Sequence, residues 1–87
     1  METQLTSRQA VAKRMNDLLK QRKITLYKFA HDVGILYDTL KKINSSDSKS
    51  VSLDIVIQIA GGFNMSLAEF ASDPVFNEDN LKLWNWH

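Results

Sequence analysis

Apolar residues recur at helical spacing through the first two thirds of the chain, and short polar or glycine-containing breaks divide them into segments. Val11, Met15, Leu18 and Leu19 share a face, while Lys13, Arg14, Asn16, Asp17 and Lys20 lie largely elsewhere. Thr6 followed by Gln9 has the spacing of a capping box, in which each residue satisfies the other's backbone N–H. A first helix over about residues 7–21 follows, and Ile24 turns inward after the polar Gln21-Arg22-Lys23. Thr25 is placed to cap a second helix with Leu26, Phe29, Ala30 and Val33 as its apolar stripe. Gly34 permits a sharp left-handed turn. Ile35 and Leu36 then open a third helix, about residues 36–44, continued by Leu40 and Ile43, with Tyr37, Asp38, Lys41 and Lys42 toward solvent.

Residues 44–50 are all small or polar and read as an exposed loop. Ser52 caps a fourth helix whose Leu53, Val56, Ile57, Ile59 and Ala60 predict deep burial, and Gly61-Gly62 marks its end. Ser66 and Glu69 form a second capping box, starting a short fifth helix with Leu67 and Phe70. Asp73-Pro74 is a turn or helix stop, and Phe76 docks back on the body. The closing stretch LKLWNWH is a short strand or a last helical turn, with Trp84 and Trp86 covering the core or meeting a second subunit. This divides the chain into a helical domain over residues 1–71 and an extension over 72–87 that packs on the domain or at a dimer interface.

Composition narrows the class. At 87 residues, 44% hydrophobic and 24% charged, the chain suits one folded soluble domain whose small core gains from a partner subunit. There is no apolar run long enough to span a bilayer and no apolar leader, so no membrane role and a cytoplasmic location are expected. Cysteine is absent, which leaves neither disulfide nor thiolate metal site. The net charge of +1 conceals a division: residues 1–46 carry nine Lys/Arg against four acidic residues, and residues 47–87 carry two against six. A basic end of this kind can orient toward phosphate. Catalytic signatures are missing: His31 and His87 are the only histidines, and there is no HExxH, phosphate-binding glycine loop or GxSxG. The expectation is a non-enzyme with no metal, cofactor or evident small-molecule effector.

The most informative stretch is residues 26–44, LYKFAHDVGILYDTLKKIN. Ala30 leaves room for one helix to cross closely over another, Gly34 makes the turn, and Phe29, Val33, Ile35, Leu40 and Ile43 hold the crossing. That is the spacing of a helix-turn-helix, with an ordinary helical hairpin in an all-helical bundle as the alternative.

Around this motif the sequence resembles the Cro/C1-type (XRE-like) helix-turn-helix regulators, and Ser72-Asp73-Pro74-Val75-Phe76 with Asn80-Leu81 more loosely resembles the tail of small members from Gram-positive bacteria, their phages or mobile elements. The residues carrying the likeness are Arg14-Met15, Leu18-Leu19, Ile24-Thr25, Phe29-Ala30, Gly34-Ile35, Thr39-Leu40, Ile43, Ser52-Leu53-Asp54, Ile59-Ala60, Phe63 and Ser66-Leu67-Ala68-Glu69-Phe70. The resemblance implies an all-α, five-helix, lambda-repressor-like domain. It also implies a homodimer that binds an inverted-repeat operator in double-stranded DNA as a transcriptional regulator, a small repressor.

On these positions Tyr37, Asp38, Lys42 and Lys41 are the base-reading residues. Lysine can donate to guanine, aspartate can accept from cytosine, and the Tyr37 ring can pack on a thymine methyl. Asp38 has a second possible role, as a local partner of Lys41 or Lys42. Thr25, Leu26, Lys28, Thr39, Ser45, Ser46 and Lys49 are the phosphate-positioning set, in part through backbone N–H groups at the start of the second helix. Phe63, Met65, Phe70, Trp84 and Trp86 are the dimer candidates. Two departures stand out: Leu26 replaces a frequent glutamine, and Leu36 replaces the usual Ser or Thr cap of the third helix. The alternative is a helix-turn-helix-fold protein-interaction module, or an antitoxin-like regulator, with weak or no direct DNA binding.

Overall fold

All but one of the described α-helices begin where a hydroxyl side chain can satisfy an otherwise unpaired backbone N–H. In the computed structural model, which describes residues 5–45, 51–77 and 81, α1 spans Ser7–Arg22, α2 Leu26–Val33, α3 Tyr37–Ser45, α4 Leu53–Gly62 and α5 Leu67–Phe70. A 3-10 turn, Pro74–Phe76, follows. Before α1, Thr6 Oγ1 accepts from Gln9 N–H at 3.2 Å while Gln9 Oε1 accepts from Thr6 N–H at 2.9 Å. Thr25 caps α2 by accepting from Lys28 N–H at 3.1 Å, and Ser52 caps α4 through Ile55 N–H at 3.4 Å. Ser66 and Glu69 close the second box over α5.

The chain leaves α1, α2 and α4 through the left-handed conformation. Lys23, Gly34 and Asn64 have φ of 57°, 76° and 62° respectively, and each follows or closely follows a helix. At Gly34 the N–H donates to Ala30 O at 3.0 Å and Ile35 N–H reaches the same carbonyl at 3.1 Å, which folds the chain back across α2.

α1, α2, α3 and α4 surround one core. Met15, Phe29, Leu40, Ile59, Phe63 and Phe70 are its fully buried large side chains, with Val11, Leu18, Leu19, Ala30, Ile35, Ile43, Val56 and Ala60 around them. Phe29 of α2 stacks on Phe63, the residue after α4, with ring centroids 4.3 Å apart and planes inclined by 17°. The 3-10 turn packs on α1: Val75 is buried, and the Phe76 ring lies 5.8 Å from that of Phe70. Among the described residues there is no strand, only an isolated parallel bridge between Leu5 and Leu81.

Gly61 and Gly62 are the last two residues of α4, so the pair marks its end as expected, and the chain turns at Asn64. Gly62 has a steric role, because a Cβ there would lie 2.8 Å from Phe29 Cζ and would also collide with Val33 Cγ1. The expected deep burial of α4 is corrected in part: Leu53 and Ile57, one turn apart, are 61% and 47% exposed, because only Val56, Ile59 and Ala60 face the core.

The two glycines should therefore respond oppositely to alanine. Gly62→Ala should lower stability by about 1–3 kcal/mol, since both obstructing side chains lie in the core layer. Gly61→Ala, with open space around the new methyl, should raise it by roughly 0.5–1 kcal/mol. Urea denaturation of the two variants checks both signs.

Candidate nucleic-acid interface

The apolar positions of the motif orient its polar ones. Phe29, Ala30, Ile35, Leu40 and Ile43 are buried, and Val33 is half-buried against the same core. With Leu40 and Ile43 inward, Tyr37, Asp38, Lys41 and Lys42 all come to the outer side of α3.

Leu36 occupies the N-cap position of α3. Its carbonyl accepts from Thr39 N–H at 3.0 Å and Leu40 N–H at 3.3 Å, but its side chain, 75% exposed, has no acceptor to offer the first N–H groups. Asp38 partly compensates, since a carboxylate in the first turn is favoured by the helix dipole. Among the described residues Asp38 forms no ion pair with Lys41 or Lys42, so its placement as their local partner is corrected. The dipole is the local interaction it makes.

Lys41 turns back over Tyr37, with Nζ 5.4 Å from the ring centroid. Tyr27 of α2 meets the same ring edge-on, at a centroid distance of 5.3 Å and an angle of 75°. Tyr27, Tyr37 and Lys41 thus form a continuous contact across both helices of the motif. Lys42 is exposed beside it.

The phosphate-positioning set is more dispersed. Lys28 is exposed and paired with Asp32 at 3.4 Å, and His31 Nδ1 lies 3.8 Å from the same carboxylate. Such exposed pairs are weak, so Lys28 can exchange Asp32 for another anion at small cost. The Thr25 hydroxyl accepts within its own cap, Leu26 is half-buried, and Thr39 is half-buried in α3. Ser45 Oγ donates to Lys41 O at 3.0 Å. Ser46 and Lys49 lie outside the described residues, as do Trp84 and Trp86.

Part of the basic half is turned inward. Arg8, which is buried, donates through Nη1 to the Ile43 carbonyl near the C-terminus of α3, and Asn16 Nδ2 donates to Asn44 Oδ1 at 2.8 Å. Together they tie the end of α3 to α1. Arg14 donates through Nε to Phe70 O at 2.9 Å and through Nη2 to Glu69 O at 3.2 Å, and it pairs with Asp73 at 3.5 Å. Arg22 lies over the Phe63 ring at 5.3 Å. Summed charge overstates the cationic surface for this reason.

Tyr27 and Arg8 were missed at the level of sequence. Tyr27 lies off the Leu26, Phe29, Ala30, Val33 stripe, so exposure was legible, but its pairing with Tyr37 depends on how α2 crosses α3. Arg8 carried no local signal, since its acceptor is 35 residues away. Two of the dimer candidates are corrected: Phe63 and Phe70 are 1% and 0% exposed, so their rings are committed to the chain's own core. Met65 is half-buried, with its sulfur 3.8 Å from Arg14 Nη2.

A family profile describing the Cro/C1-type HTH DNA-binding domain matches residues 14–74. The chain belongs to this family. It carries a Cro/C1-type helix-turn-helix DNA-binding domain, with α2 and α3 as the motif. The fold is also similar to the crystal structure of prophage Lp1 protein 11, with a TM-score of 0.74 at 22% identity, covering 90% of this chain and 99% of that one. A search of curated proteins finds no significant match. Among the described residues, no helix is long and apolar enough to cross a membrane.

Two substitutions behind the Cro/C1-type motif test how it is supported. Leu36→Ser should stabilise the protein by about 1 kcal/mol by supplying the missing cap. Arg8→Met should destabilise it by about 1–3 kcal/mol, because the Ile43 carbonyl loses a buried donor. Thermal unfolding measures both shifts.

Proposed function

We propose that this protein is a sequence-specific double-stranded DNA-binding transcriptional regulator, a small repressor that inserts α3 into the major groove of an inverted-repeat operator. The observation carrying this reading is the outer face of α3: Tyr37, Asp38, Lys41 and Lys42 stand together there, on a helix whose opposite side is anchored by Leu40 and Ile43. Neither lysine is engaged in an ion pair among the described residues, so neither must leave an intramolecular carboxylate to meet a nucleic acid. Lys42 and Asp38 are suited to base edges, while Lys41, drawn over Tyr37, reaches a base or a phosphate. Thr25, Leu26, Lys28, Thr39, Ser45, Ser46 and Lys49 serve as the surrounding phosphate contacts, with backbone N–H groups as donors at the start of α2.

A helix of nine residues reads few base pairs, which favours a homodimer whose two copies of α3 are about 34–36 Å apart. Met65 and the tail residues Trp84 and Trp86 are the surface assigned to that contact. If so, Trp84→Ser with Trp86→Ser should shift sedimentation toward the monomer; an unchanged dimer removes the tail from the interface.

Selection of duplexes from a random-sequence pool at defined salt tests the main reading. One palindromic motif should emerge, and its affinity should fall steeply as salt rises. Lys42→Ala should then relax preference at one position of each half-site, whereas Lys28→Ala should weaken all duplexes more evenly and reduce the salt slope by about 1. A second reading is favoured by the exposure of Leu36 and Tyr27: a protein-interaction module on the same fold. Recovery of no motif, with affinity indifferent to salt, would select it.

A further inference from the structure

The end of α3 that leads into the outer face carries an unusual amount of apolar surface. Leu36 is 75% exposed and Tyr27 66% exposed, and Tyr37 lies between their two helices. Tyr37 is already occupied, since Tyr27 meets its ring from one helix and Lys41 from its own. Tyr37 is thereby less available for a thymine methyl than its position in the sequence suggests. The isobutyl group of Leu36 has no such engagement, and it stands at the residue immediately before α3, where a helix docked by its N-terminal end meets base edges.

The chemistry available to a leucine in the major groove is narrow. It has no donor or acceptor, and the apolar feature that a base pair displays there is the C5 methyl of thymine. Cytosine offers an amino group at the corresponding edge, and guanine and adenine offer polar atoms that a leucine would desolvate without pairing. The lysines one turn farther along, Lys41 and Lys42, supply the charge complement that a protein partner with an apolar surface would not need.

We propose that Leu36 is a specificity residue, reading one thymine per half-site by apolar contact with the C5 methyl. The assignment rests on the DNA-binding reading above and adds to it a base, a position and a residue. It also accounts for a leucine at a cap position, where the side chain does nothing for the helix.

The test replaces each thymine of the selected motif, one at a time, by uracil, which removes the methyl and leaves the pairing edge unchanged. Dissociation constants are measured at fixed salt by fluorescence anisotropy. For the native protein, one thymine in each half-site should show a loss of about fourfold on conversion to uracil, the value of roughly one buried methyl. Leu36→Ala should bring that ratio close to one, and Leu36→Met, still apolar and long, should keep most of it. Leu36→Ser should also abolish the ratio while raising the unfolding temperature, so that the loss cannot be a failure to fold.

A ratio that persists in Leu36→Ala assigns the methyl contact to another residue and overturns the proposal. So does a motif bound tightly but insensitive to uracil at every thymine, or one with no thymine. If no motif is selected at all, the DNA-binding reading fails and takes this assignment with it, an outcome distinguishable because the first three require a bound duplex.

Discussion

Phe29 lies flat on Phe63, and this contact can form only because α4 ends in a residue without a Cβ. The bare backbone at Gly62 lets α2 settle against α4 until Phe29 and Val33 touch it. The C-terminal end of α2 is thereby fixed, and the left-handed residue that follows, Gly34, starts its turn from a defined point. Ile35, Leu40 and Ile43 then fall into the same core. The orientation of the outer face of α3 is the geometric remainder of those burials. Gly34 and Gly62 are glycines for opposite reasons: the first needs a positive φ with open space around it, and the second is helical with no space.

Charge is used twice in this molecule. Arg8 and Arg14 direct guanidinium groups at carbonyls near the ends of α3 and α5, where acceptors lack helical partners and the dipole is negative. They hold elements together over long sequence separations and contribute little to an outside field. The lysines of α3 are among those left facing solvent, as are Lys13, Lys20, Lys23 and Lys28. A basic N-terminal half is thus a mixture of internal fasteners and external charge, and composition does not separate the two.

The outer face of the motif is also partly apolar. Tyr27, Tyr37 and Lys41 organise one another across the α2–α3 crossing, and Leu36 stands uncovered at its edge. Charge and apolar surface thus share one face of the motif.

Local rules were enough for much of the architecture. Thr6, Thr25, Ser52 and Ser66 announce helix starts because a capping hydroxyl and the N–H that donates to it lie within three residues, and the Gly34 turn is legible because positive φ selects glycine. The Phe29, Ala30, Leu40 and Ile43 spacing identifies the inward sides of α2 and α3, and with them the outward position of Tyr37, Asp38, Lys41 and Lys42. What the sequence could not determine depends on approach between distant segments. Gly62 looks like no more than a helix stop until Phe29 is seen against it; Phe63 and Phe70 look available to a partner until the core closes over them. Arg8 looks like surface charge until Ile43 arrives as its acceptor. Capping and periodicity act over one or two turns and are written in neighbouring residues, whereas close packing and long-range hydrogen bonds exist only once the helices have crossed.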